Sequence, residues 1–92
     1  MTLSTDERRL LEKIVQAGKP VAPSDYFHVL YPPPAGMGEE GPVRDEWTEQ
    51  QLGLYRVYID LHDRGLIEVA VPADGANPDK VIPTDAGKAA LA

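Results

Sequence analysis

Apolar positions Leu10, Leu11, Ile14 and Val15 recur at helical spacing and give a first helix one apolar face. Ser4 followed by Glu7 has the spacing of a capping box, Asp6 and Glu7 suit the first turn, and Gly18 then Pro20 end the helix. In "VAPSDYFHVLYPPP" a short second helix is predicted, with Ser24 as its cap and Tyr26, Phe27, Leu30 and Tyr31 on one face. Residues 32–44, rich in Pro and Gly and carrying the acidic pair Glu39 and Glu40, have no periodicity and read as irregular loop.

A third, longest helix is predicted from about Trp47 to Arg64, capped by Thr48 with Gln51 and closed by Gly65. Its apolar positions form two adjoining stripes, Leu52, Tyr55 and Ile59 on one and Trp47, Leu54, Tyr58 and Leu61 on the other. Stripes that broad predict a central helix with neighbours on two sides. Its narrow polar arc holds Glu49, Gly53, Arg56, Asp60 and Asp63. Ile67, Val69 and Val71 then alternate with Glu68 and Ala70, the period of a half-buried strand. A tip of Pro72, Asp74, Gly75, Asn77 and Pro78 leads into a returning strand, Lys80 to Pro83, and Thr84 caps a short last helix. Leu61, Leu66, Ile67 and Val69 are expected to be buried where the third helix meets the hairpin.

With 92 residues, 42% hydrophobic and 26% charged, the chain suits one folded domain over 1–92. The absence of cysteine removes disulfides, thiolate catalysis and thiolate metal sites. The opening segment is charged within nine residues and has no signal-peptide apolar stretch, so a cytoplasmic location away from membranes is expected. A net charge of −6 counts against sequence-independent nucleic-acid binding, whose affinity rests on lysine and arginine neutralising phosphate.

Helix, helix, long helix ending in "LHDRGLI", hairpin, then "PTDAGKAAL" is the order of a winged helix-turn-helix. Through Leu61, Gly65, Leu66, Ile67, Thr84, Gly87 and Leu91, the last third of the chain resembles MarR-like and PadR-like bacterial regulators. The resemblance implies an α+β, mainly helical fold of three helices, a two-stranded wing and a short C-terminal helix. It also implies a DNA-binding transcription regulator. Two features depart from the family: a Pro/Gly loop replaces the tight turn before helix three, and the wing carries Lys80 alone, opposed by Asp74 and Asp79.

Catalytic chemistry finds no support. Ser24, Asp25 and His28 are close in sequence but diverge on a helix, as do His62 and Asp63, and "PAGMGEEG" lacks the lysine and hydroxyl of a phosphate loop. No enzyme activity, cofactor or metal is expected. For duplex DNA, the start of the third helix offers Arg44, Thr48, Gln50, Gln51 and Arg56, and the wing offers Lys80. Gln50, Gln51 and Arg56 are the base readers, and Arg8, Arg9, Lys13 and Lys19 on the first helix are candidate backbone clamps. For a protein partner, the candidates are Trp47, Leu54 and Tyr58, expected to be covered by the first helix in a monomer. Two functions follow: a small DNA-binding regulator module, or an acidic winged-helix module that binds another protein and not DNA.

Overall fold

The computed structural model describes residues 3–38 and 41–92, so the acidic pair Glu39 and Glu40 lies outside the described residues. Among the described residues the protein is α+β and mostly helical. Its elements are α1 (Thr5–Ala17), α2 (Phe27–Leu30), α3 (Pro42–Asp63), β1 (Ile67–Val71), β2 (Lys80–Pro83) and α4 (Asp85–Ala90).

The first helix is terminated as its sequence requires. Glu7 N–H donates to Ser4 Oγ at 3.1 Å while Ser4 N–H donates to Glu7 Oε1 at 3.0 Å, satisfying two donors that would otherwise lack partners. Gly18 ends the helix in the left-handed region at φ 66°. Leu10, Leu11 and Ile14 are fully buried. Beyond α1, Val21 exchanges two backbone hydrogen bonds with Val81, at 3.1 and 2.8 Å, and so adds a one-residue third strand to the base of the hairpin. A 3₁₀ turn over Pro23–Tyr26 runs into α2. Ser24 is not a cap, because Pro23 already opens the turn and no side chain caps it. Phe27 and Leu30 carry this segment into the core.

The third helix starts earlier than its hydrophobic pattern predicts. Gly41 adopts φ 120° and Pro42 takes a first-turn position, where its fixed φ is pre-organised and its missing N–H costs nothing. Pro42, Val43 and Arg44 are therefore helical, and the irregular stretch among the described residues is 31–38 with Gly41. Thr48 and Gln51 sit inside the helix and do not cap it. Only Leu54 and Leu61 of this helix are buried. The main contacts come from α1, α2 and β1, and they leave the Leu52 stripe largely uncovered. Leu52, Tyr55 and Ile59 remain 47%, 52% and 42% exposed. The described residues hold no element left to cover them.

The strands pair antiparallel, with Ile67 opposite Pro83, Val69 opposite Val81 and Val71 opposite Lys80, and an irregularity between Val69 and Val71. Ile67 and Val81 are buried, but Val69 and Val71 are 37% and 47% exposed. Burial of Val69 fails because the ribbon projects beyond the core and only its base is covered.

A compact clasp sets the hairpin's direction. Gly65, at φ 74°, lets Leu66 N–H reach back to Leu61 O at 3.0 Å and its own N–H reach His62 O at 3.0 Å, a Schellman ending. Thr84 Oγ1 donates to Gly65 O at 2.6 Å and accepts from Gly87 N–H at 3.0 Å, and Thr84 N–H donates to Leu66 O at 3.1 Å. Here α4 lies so close to this turn that a Cβ on Gly87 would stand 2.0 Å from the Leu66 carbonyl oxygen.

A second tie joins the ends of α1 and α3. Arg64 Nη1 donates to Glu7 Oε2 at 2.5 Å and to Asp60 Oδ2 at 3.3 Å. Burial alone would raise the Glu7 carboxyl. The hydrogen bond shared with Asp60, the hydrogen bonds with Ser4 and the charge of Arg64 outweigh it and hold the group at about 2. The Asp60 carboxyl moves up, chiefly because it shares that hydrogen bond with Glu7.

Four outcomes are expected. Gly87→Ala forces an alanine methyl against backbone and lowers the urea midpoint, by about 1–3 kcal/mol of stability; Gly53→Ala, in open space on α3, raises stability by about 0.5–1 kcal/mol. Glu7 has a folded value below its unfolded one, so its stabilisation is present above pH 4.5 and is lost as pH falls towards about 2. Asp60 acts with the opposite sign and offsets part of that loss. Glu7→Gln is expected to cost about 1.5–3 kcal/mol at neutral pH and to flatten the acid limb of a pH–stability curve.

Candidate functional site

The six residues predicted to meet DNA do not converge. At roughly 100° per residue, Thr48 and Arg56 lie on either side of Leu52 on α3, about 40° from it, while Arg44 lies about 120° around the helix from Arg56. Thr48 and Arg56 are exposed and Arg44 is half-buried. Gln50 is exposed but lies about 120° around the helix from Arg56. Gln51 is half-buried and turned inward, its amide donating to Tyr31 O at 3.0 Å and Phe27 O at 3.4 Å. That amide reaches Tyr31 O just past the end of α2 and shares Phe27 O with Tyr31 N–H. Lys80 is exposed on the hairpin, opposite Val71.

The cations of α1 are likewise dispersed. Arg9 donates to Leu30 O at 3.0 Å, pairs with Asp6 at 3.9 Å and lies over the Tyr31 ring at 5.3 Å. Tyr31 in turn donates its hydroxyl to Asp6 at 2.8 Å, which raises the phenol's pKa, with burial adding to the shift. Arg8 and Lys19 are exposed, and Lys13 is half-buried.

Of the predicted interaction stripe, Leu54 is fully buried, while Trp47 and Tyr58 are half-buried. Trp47 docks against α2: its indole N–H donates to Tyr31 O at 3.0 Å, and the His28 ring stands edge-on at 5.2 Å. Its cover therefore includes α2, where α1 had been expected. Ser24, Asp25 and His28 remain separate in role, with His28 occupied by that ring contact. Among the described residues, no group of three or more His, Asp or Glu side chains is placed to hold a metal. No described helix is long and apolar enough to cross a membrane.

What the fold does assemble is the stripe that sequence reasoning had assigned to the interior. Leu52, Tyr55 and Ile59 run along the outer side of α3, and Val69 continues the apolar surface onto β1. Between helix and hairpin lies a cleft of about 220 Å³ lined by Tyr55, Tyr58, Ile59, His62, Asp63, Val69 and Asp79. The two tyrosine rings meet edge to face with centroids 6.1 Å apart. Tyr58 ionises less readily than a free phenol, because it is partly buried and then because Asp79 and Tyr55 lie close. Asp79 is held in place by Ala73 N–H at 2.5 Å, and Asp74 caps the hairpin tip by accepting from Ala76 and Asn77 N–H at 2.8 and 2.9 Å. Those backbone hydrogen bonds lower the Asp74 carboxyl. Asp74, expected in the tip, and Asp79, noted in the sequence for its charge, thus both shape the hairpin.

A signal for the outer stripe was present in the sequence. Asp45, Glu49, Arg56 and Asp63 interleave with it on α3, a charged margin that a fully packed face would not tolerate. Comparison with protein-family models, curated proteins and solved structures finds no match to this chain.

The inward role of Gln51 separates structure from recognition. Gln51→Ala is expected to lower stability by about 1 kcal/mol in urea unfolding. Gln50→Ala, on the exposed side, is expected to stay within about 0.5 kcal/mol of the parent.

Proposed function

We propose that this chain is a winged helix-turn-helix domain whose α3–hairpin face binds another protein. Support for the winged-helix reading comes from the order of elements, the Gly65–Leu66–Ile67 turn from long helix to hairpin, and the Thr84–Gly87 start of α4. The observation that carries the binding reading is the exposed apolar stripe Leu52, Tyr55 and Ile59, joined by Val69. Contiguous apolar surface bordered by polar residues marks an interaction site on a small protein, and aromatic anchors such as Tyr55 are characteristic of protein interfaces.

The DNA-binding regulator is the competing proposal, and one observation favours it: Thr48 and Arg56 share the outward row of α3. In a major groove, however, Leu52 and Ile59 would meet base edges that offer apolar contact only at thymine methyl groups. Asp45, Glu49 and Asp63 on the same helix would approach phosphates. Electrostatic steering, the usual source of non-specific affinity, would oppose the encounter.

The two readings separate in one experiment. A photo-crosslinking amino acid at position 52, with position 16 on α1 as control, is expected to give a protein adduct in the source cell at 52 alone. A DNA adduct at 52, together with a duplex site enriched from a random library at low salt and lost on Arg56→Ala, would overturn the protein-binding reading.

A further inference from the structure

The stripe's spacing and the charges around it narrow the chemistry of its partner, if the face binds protein as proposed above. Positions 48, 52, 55 and 59 follow one another at intervals of four, three and four, the seam by which one helix packs along another. From Leu52 to Ile59 the seam spans about 10 Å, close to two turns of a docking helix. An amphipathic helix laid in a shallow groove reads such a surface through residues spaced in the same way.

Charge points to the sign of that helix. The outward side of α3 carries Asp45, Glu49 and Asp63, and the hairpin adds Asp74 and Asp79; Arg44, Arg56 and Lys80 are the cations beside them. Among the described residues, no ion pair engages Asp63 or Asp79. Both carboxylates line the cleft, alongside Tyr55 and Tyr58. A cleft lined by two tyrosine rings, the His62 imidazole and two carboxylates suits an alkylammonium or guanidinium group, attracted by ring faces and by the carboxylates together. A second copy of this chain suits it poorly, because a two-fold contact would bring the same carboxylates together on a chain of net charge −6.

We propose that the partner is a cationic amphipathic helix of another protein. It lies along Leu52, Tyr55 and Ile59 and places one lysine or arginine side chain in the cleft between Asp63 and Asp79. The apolar seam supplies contact area. The carboxylates supply the preference for a basic partner and a faster encounter at low salt.

The test is selection from a displayed library of helices with leucine fixed at the seam positions and every flanking position randomised. The full chain is the target, and the Leu52→Ser/Ile59→Ser variant serves for counter-selection. Enriched helices are expected to carry lysine or arginine in the flanks and to bind more weakly as salt is raised. Asp63→Asn is expected to weaken them about tenfold with the thermal midpoint unchanged. Asp63 is the residue of choice because Asp79 also holds the hairpin through Ala73 N–H. Enrichment of neutral or acidic helices, or indifference to Asp63→Asn, would overturn the cationic partner while leaving the face a protein-binding one. No enrichment at all would overturn both readings. A dimer in sedimentation that Leu52→Ser dissociates would replace the partner with a second copy.

Discussion

The contact between Gly87 and the Leu66 carbonyl governs where the hairpin can go. Leu66 is the first residue beyond the turn that ends α3, and its carbonyl accepts from Thr84 N–H while the backbone of α4 passes against it. Only a residue without a side chain allows that approach. Thr84 completes the arrangement with one hydroxyl that donates to Gly65 O and accepts from Gly87 N–H. The beginning and the end of the hairpin are thereby fixed to each other, and the angle between ribbon and α3 follows. That angle opens the cleft between Tyr55, Val69 and Asp79.

The opposite side of α3 is held by packing and by one charged tie. Leu54 and Leu61 enter the core with Leu10, Leu11 and Ile14, and Arg64 bridges to Glu7 at the start of α1. Gln51 and Trp47 pin the same helix to the end of α2 through Tyr31 O. These contacts all lie on one flank. The other flank keeps Leu52, Tyr55 and Ile59 largely exposed.

Much of the architecture was legible in local pattern. The Ser4–Glu7 capping box, the Gly18 and Gly65 helix endings and the Thr84 cap each arise from neighbours in sequence, and each is present; β1 forms where its alternation placed a strand, but of its apolar residues Ile67 alone is buried. Misreadings arose where a local signal had two physical uses. Thr48 and Gln51 have the spacing of a cap, but Gly41 and Pro42 offered an earlier start, and Gln51 gained two carbonyl acceptors on α2 instead. Ser24 has the chemistry of a cap, but the preceding proline had already begun the turn.

The site was harder to read, because periodicity records which residues share a face and not what covers that face. The sequence by itself determined that Leu52, Tyr55 and Ile59 form one stripe and Leu54, Tyr58 and Leu61 another, since both follow from the helical repeat. Only the tertiary structure decided which stripe would face the core. α1 and α2 cover the side of α3 that holds Leu54 and Leu61, the hairpin meets Tyr55 and Ile59 only across an open cleft, and the described elements are too few to enclose a long helix. Likewise, Asp63 and Asp79 are sixteen positions apart in sequence, and it is the turn at Gly65, the length of the ribbon and the clasp at Gly87 that bring them to one cleft.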